Sequence, residues 1–121
     1  GYTCGNDVCV KEWEEQKEAW KSKCCDTMHP VGPWIETELD PMNVMIRARV
    51  NGKTVQEEAT TSYIFDVPSV IARMASYMTL YPGDLIFMGT VGEPHDMKPG
   101  DVVEVDIEGI GVLRNPIVAD S

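Results

Sequence analysis

The stretch NVMIRARVNGKTVQEEAT, residues 43–60, predicts a β-hairpin. Apolar and polar residues alternate along residues 43–50, which is the pattern of a strand with one buried face. Asn51 and Gly52 come next, and this dipeptide favours the two-residue turn of a β-hairpin because both residues tolerate a positive φ. We therefore expect residues 53–60 to return antiparallel to the first strand.

The residues after this hairpin predict a helix, a buried strand and a second hairpin. FDVPSVIARMASYMTL, residues 65–80, offers Asp66 as an N-cap and Pro68 in the first turn of an amphipathic helix. LIFMGT, residues 85–90, predicts a buried strand between the turn sequences YPGD (81–84) and KPGD (98–101). Residues 102–118 alternate on both sides of two glycines and predict a closing hairpin.

The residues before the central hairpin predict a second helix and a loop. DVCVKEWEEQKEAW, residues 7–20, contains helix formers and neither Gly nor Pro, with Asn6 or Asp7 as the expected N-cap. The prolines in residues 24–33 predict an ordered loop, and strands resume at residues 34–38. The expected fold class is α+β, strand-rich with two short helices, in a single domain over residues 1–121.

Composition narrows the function classes. The chain has 121 residues, enough for one core, and no apolar run near the ~20 residues of a membrane span, so no membrane partner is expected. Ten basic and twenty acidic residues give a net charge of -10, which repels phosphate backbones, so no nucleic-acid partner is expected either. Four cysteines are too few for a disulfide scaffold, which favours reduced thiols and a cytoplasmic location.

The stretch KCCDTMHPVGPW, residues 23–34, concentrates reactive side chains. A zinc site would need close ligand pairs such as C-x2-C, and the spacing of the available residues does not supply them: Cys4, Cys9, Cys24, Cys25 and His29. A disulfide between the two adjacent cysteines would close a strained ring. The spacing favours buried or loop thiols, and His29 is interpreted as an oriented loop residue rather than a general base.

Asp7 and Lys23 are a second candidate pair. A carboxylate at a helix start and a lysine in a proline-braced loop are the charge types that hold a divalent cation and a negatively charged oxygen. On residue type alone, however, an ordinary helix cap and an ordinary surface lysine are the more common interpretation.

Several motifs, taken in order, resemble the C-terminal catalytic core of the fumarylacetoacetate hydrolase (FAH) family. GYTCGNDV, residues 1–8, resembles its Gly-Tyr-Thr and Asn-Asp-Val motif, and residues 23–34 resemble its Lys-x-x-Asp-Thr loop ending in Gly-Pro. Residues 50–90 follow the family through hairpin, helix, PGD turn and Gly-Thr pair, and residues 98–117 match its closing segment. The resemblance covers nearly the whole chain.

This resemblance implies a mixed β-roll that binds Mg²⁺ or Mn²⁺ through an E-x-E pair and one aspartate, which Asp7 matches. Lys23 matches the active-site lysine, and Gly89 and Thr90 match the pair that touches the carboxylate or oxo group of the substrate. The implied substrate is a 2-oxo or β-diketo acid. The implied reaction is C–C hydrolysis, decarboxylation or enol–keto isomerisation, each passing through an enolate that the cation stabilises.

Departures from the family pattern leave a rival open. The E-x-E pair lies upstream of the aspartate in the family, so we expect the N-terminal half in a longer polypeptide or a partner chain, and an oligomer. Lys11 replaces a substrate-facing arginine and Glu14 a glutamine, which predicts an altered substrate or lower activity. Val91 stands in a shortened loop where proline is common. The rival is a non-catalytic subunit or pseudoenzyme that keeps the fold as a binding or oligomerisation module.

Overall fold

The computed structural model describes residues 1–15, 17, 19–90 and 92–119, without the side chains of Glu14 and Ala19. In chain order the elements are β1 (Tyr2–Gly5), α1 (Lys11–Glu15), α2 (Ala19–Cys24), β2 (Val31–Glu36), β3 (Met45–Val50), β4 (Lys53–Ala59), α3 (Val67–Ala75), β5 (Val102–Ile107) and β6 (Gly111–Pro116). A short 3-10 turn spans Thr60–Ser62. The strand-rich α+β class is confirmed.

A four-stranded antiparallel sheet in the order β4-β3-β5-β6 forms the larger layer. The first predicted hairpin is confirmed: Asn51 and Gly52 have φ values of 52° and 78° and join β3 to β4. The closing hairpin is confirmed as well, because Ile107 of β5 pairs with Gly111 of β6. In a second, two-stranded sheet β1 pairs antiparallel with β2.

The core lies where the two sheets meet. Ile110, in the β5–β6 turn, is only 1% exposed and packs with Cys4, Val105 and Leu113. Cys4 is fully buried, and burial raises the pKa of its thiol, which donates a hydrogen bond to the carbonyl of Gly111. β1 is therefore held firmly against the large sheet, and the residues that follow it start from a fixed point.

The predicted helix over residues 7–20 is wrong in its start and its continuity. Residues 7–10 are irregular because this stretch and its flank pair with a distant loop: the amide of Asn6 donates to the carbonyl of Pro30, and that of Val8 to Met28. Neither Asn6 nor Asp7 is an N-cap. α1 and α2 are separate helices, and Lys17 between them has a φ of 64°, which a right-handed helix does not accommodate.

The buried strand predicted for residues 85–90 is wrong too. These residues join none of the described strands, and the side chains of Leu85 and Phe87 are exposed. Their apolar sequence predicts burial, but a strand also needs a neighbouring backbone to hydrogen-bond. α3 is confirmed with Asp66 as its N-cap, although it ends at Ala75 rather than residue 80. In the described residues, no helix has the length and apolar content to cross a membrane.

Candidate active site

Strand pairing places Asp7 opposite the loop before β2. Cys4 pairs with Gly32 and Gly5 with Val31, so the chain leaving β1 runs beside the residues entering β2. The backbone hydrogen bonds from Asn6 to Pro30 and from Val8 to Met28 continue this pairing on both sides of Asp7. Asp7 and His29 are thereby brought together across the two segments.

Lys23 reaches the same point from the last turn of α2, not from the loop that the sequence predicted. Its Nζ lies 2.8 Å from each carboxylate oxygen of Asp7. The side chains of Lys23 and Asp7 are 39% and 44% exposed, so solvent and a small ligand can reach both. An ion pair this exposed adds little to stability, but it places a positive and a negative charge side by side at a point that a ligand can reach.

His29 completes the cluster. Its Nε2 lies 3.0 Å from Oδ1 of Asp7, and since a carboxylate oxygen only accepts, the imidazole nitrogen donates. The ring stands edge-on to Phe87, with 5.3 Å between ring centroids. The sequence interpretation treated His29 as an oriented loop residue and missed this contact; the signal for it was the pairing of the strands that flank Asp7 and His29.

Among the residues that the structure describes, neither Gly89 nor Thr90 contacts Asp7 or Lys23. Gly89 has a φ of 93°, and a Cβ placed there would have no described atom within 4 Å apart from its chain neighbours. Thr90 lines a separate cavity of about 390 Å³ with Glu58, Tyr63 and Met88, and its hydroxyl lies 3.5 Å from Oε1 of Gln56. In the part of the chain that the structure describes, the contact between this segment and the Asp7 cluster is made by Phe87, two residues before Gly89.

Lys11 forms an ion pair with Asp96, in the loop after the Gly-Thr pair. Their hydrogen bond raises the pKa of Lys11 and lowers that of Asp96. The same loop is held from β4, where the side-chain amide of Gln56 donates to the carbonyl of Glu93 at 3.0 Å. The charge of Lys11 is therefore directed at this loop. Two further residues singled out in the sequence, the side chain of Glu14 and the whole of Val91, lie outside the described part of the chain.

Asp7 fits one position of a divalent-cation site. Its two oxygens have about four lone-pair sites. Among the described residues, Lys23 and His29 make three hydrogen bonds to them, which leaves one site on Oδ2. Over the described part of the chain, however, no three His, Cys, Asp or Glu side chains are grouped as metal ligands. Further ligands for a hard cation at Asp7 would have to come from water, substrate or residues beyond these.

Comparison with known proteins identifies the class. The family described as fumarylacetoacetate (FAA) hydrolase C-terminal matches residues 1–118. The chain therefore belongs to the fumarylacetoacetate hydrolase family, and the resemblance drawn from its motifs is confirmed.

Relatives with named activities are enzymes. A 4-hydroxyphenylacetate degradation bifunctional isomerase/decarboxylase of Salmonella dublin is 39% identical over 99% of this chain and 29% of its own length. A mitochondrial oxaloacetate tautomerase of Xenopus laevis is 38% identical over 98% of this chain and 41% of its own.

A solved structure gives the same result for the fold. The 5-carboxymethyl-2-hydroxymuconate delta-isomerase of Mycobacterium smegmatis superposes with a TM-score of 0.95 at 38% identity. The superposition covers 100% of this chain and 49% of the isomerase. The chain spans about half the length of the curated relatives that it matches first.

Proposed function

We propose that this chain is the C-terminal part of the catalytic domain of a metal-dependent enzyme acting on a 2-oxo or β-diketo acid. The reaction would be enol–keto isomerisation, decarboxylation or C–C hydrolysis. The observation that carries the proposal is the meeting of the Lys23 ammonium and the Asp7 carboxylate at 2.8 Å, on side chains that solvent reaches. The named relatives support it, since they include a tautomerase of oxaloacetate, a 2-oxo acid.

Lys23 supplies the positive charge that the reaction needs. All three reactions break a bond to the carbon beside a keto group, and the electron pair of that bond is delocalised onto the keto oxygen as negative charge. An ammonium group aimed at that oxygen favours the enolate over the ketone. Lys23 can turn from Asp7 towards a bound substrate because its side chain is only partly buried.

Asp7 would hold the cation, Mg²⁺ or Mn²⁺, through the lone pair left on Oδ2. A hard divalent cation would polarise the oxygens of a bound 2-oxo acid and complement the charge of Lys23. The hydrogen bond from His29 to Oδ1 keeps the carboxylate oriented while one site on Oδ2 stays available.

Substrate contacts beyond this pair are assigned to Gly89, Thr90, Lys11 and Glu14. The open space beside Gly89 supports a close approach of substrate to its backbone. The Thr90 hydroxyl makes a long contact of 3.5 Å to Gln56, which a substrate oxygen could replace. Lys11 would bind a substrate carboxylate in competition with Asp96.

An exposed apolar surface supports a partner. Large apolar side chains between residues 64 and 87 are exposed: Ile64, Phe65, Ile71, Tyr77, Met78, Tyr81, Leu85 and Phe87. Large exposed apolar side chains in this number favour cover by other protein. We infer that an N-terminal half, from a longer polypeptide or a partner chain, covers it within an oligomer. The four free cysteines fit the reducing cytoplasm.

A non-catalytic subunit is the second candidate. Its support is that Lys11 is paired with Asp96 and that the part of the chain the structure describes gathers no three metal-ligating side chains. Such a protein would keep the fold and its interfaces without binding metal or turning over substrate.

Metal titration together with turnover separates the two. The longest natural polypeptide that contains these residues is titrated with Mn²⁺ by calorimetry, and oxaloacetate conversion is followed with Mn²⁺ and Mg²⁺. We expect binding and turnover in the wild type, loss of both in Asp7→Ala, and retention of both in the control Asp40→Ala, which removes an exposed carboxylate in a turn. No Mn²⁺ binding and no turnover in the wild type would favour the non-catalytic subunit.

A further inference from the structure

We propose that His29 is a positioning residue that fixes the carboxylate of Asp7 and couples it to the segment carrying Gly89 and Thr90. The inference rests on the proposed function, because it gives His29 a role in holding a metal ligand. Neither the sequence motifs nor the names of the relatives give His29 a functional role.

The first step is the orientation of the Asp7 carboxylate. The terminal torsion of an aspartate is soft, so the direction of its lone pairs has to be set by partners. Lys23 donates to both oxygens. Because its ammonium group sits on a flexible side chain, it neutralises the carboxylate without fixing the orientation of the carboxylate plane. The imidazole is planar and donates along one line to Oδ1, so His29 determines which way Oδ2 faces.

The second step is the orientation of His29 itself. Its ring meets Phe87 edge to face at an interplanar angle of 67°, a favoured arrangement for two aromatic rings. The Phe87 ring in turn lies against Gly5, where a Cβ would come within 2.7 Å of its Cε1 atom. Gly5 therefore leaves the space in which the Phe87 ring sits, and that ring braces the imidazole.

The third step is the connection to substrate. Phe87 belongs to the segment that ends in Gly89 and Thr90, the proposed substrate contacts. A shift of this segment on substrate binding would move the Phe87 ring, and the imidazole in contact with it would reorient the carboxylate. His29 thus links two parts of the site that share no direct contact among the described residues.

A spectroscopic test examines the hydrogen bond without metal or substrate. Nitrogen-15 NMR of the metal-free protein, above the titration range of imidazole, reports which ring nitrogen carries the proton. We expect His29 to hold its proton on Nε2, and we expect Asp7→Ala to shift the His29 signals while leaving those of His95 unchanged. A proton on Nδ1 of His29, or no response to Asp7→Ala, would overturn the proposal.

A binding test examines the consequence. Groups that orient a metal ligand are typically worth about 10–100-fold in metal affinity, so we expect His29→Ala to weaken Mn²⁺ binding by that factor. His29→Gln places an amide donor near the position of Nε2 and should restore most of the affinity, which loss of packing alone would not predict. His95→Ala is the matched control and should bind as the wild type does.

The two tests separate this inference from the proposed function. If the wild-type protein binds no Mn²⁺, both the proposed function and the contribution of His29 to metal binding are refuted. The NMR result still decides whether His29 orients Asp7. Wild-type protein that binds Mn²⁺, with His29→Ala equal to it in affinity, refutes only the positioning role.

Discussion

The Nζ atom of Lys23 lies 2.8 Å from both carboxylate oxygens of Asp7, although 16 positions separate the two residues along the chain. Asp7 lies two residues after β1 and Lys23 lies in the last turn of α2, so neither element alone builds the pair. The backbone bonds that flank Asp7 and the turn between α2 and β2 bring them together.

Replacing Lys23 tests the role of its charge. We expect Lys23→Met to lower kcat for oxaloacetate by about 10²–10³, the usual cost of removing one group that stabilises a developing oxyanion. Metal binding should persist, because Asp7 keeps its carboxylate. Steady-state kinetics in saturating Mn²⁺ measure kcat, and calorimetry measures the metal affinity.

The matched control is the neighbouring pair of thiols. Cys24→Ser and Cys25→Ser should leave kcat and Mn²⁺ affinity close to wild type, because both cysteines are free and neither contacts Asp7 in the described structure. An active Lys23→Met variant together with inactive serine variants would contradict the proposed role of Lys23 and would indicate that the thiols take part in the reaction.

The Lys11–Asp96 pair makes opposite predictions for its two partners. If Lys11 binds a substrate carboxylate, then Asp96→Asn removes its competitor and should lower KM, whereas Lys11→Met should raise it. We expect changes of roughly two- to fivefold, the range of an exposed ion pair. KM values for oxaloacetate at low ionic strength provide the measurement. Equal increases of KM in both variants would instead assign the pair to holding the loop.

The fold could be predicted where its signals are local. Asn51 and Gly52 specify their hairpin by themselves, and Asp66 caps α3 with a hydrogen bond three residues away. The helix predicted over residues 7–20 does not begin at residue 7, because the backbone amides of residues 6 and 8 hydrogen-bond to residues 30 and 28 instead. Propensity carries no information about such a distant competitor.

The candidate site could be predicted only in part for the same reason. The motifs predict Asp7 and Lys23 as site residues, and a motif can be recognised without knowing the fold. His29 was missed because its partner is set by the register between β1 and β2, where Cys4 faces Gly32. Likewise, the apolar sequence context of Phe87 does not reveal that its ring lies against Gly5 and His29.

The lowered pKa of Asp101 predicts that the protein loses stability at low pH. Its carboxylate accepts from the backbone amide of Lys98 and the side chain of Asn51, and these bonds lower its pKa. The contribution to stability is therefore full above the unfolded value of about 3.9, and it is lost as the pH falls through the lower folded pKa. Asp101→Asn should be less stable at pH 7.

The measurement is urea unfolding of wild type and Asp101→Asn at a series of pH values. The difference in free energy of unfolding should narrow as the pH drops below about 4, because the wild-type carboxyl then becomes protonated. A difference that stays constant down to pH 2 would show that the charge of Asp101 is not what joins the 98–101 turn to the β3–β4 hairpin.

Gly5→Ala tests the brace behind His29. Gly5 has no positive φ, so its backbone accepts alanine, but the new Cβ would lie 2.7 Å from Cε1 of Phe87 and displace that ring. We expect about 1 kcal/mol lower stability, the low end for overpacking, together with altered His29 NMR signals and weaker Mn²⁺ binding. Adding Phe87→Leu should cost less stability in Gly5→Ala than in wild type, since the clash is then already relieved. Strictly additive losses would mean that the two residues do not share this contact.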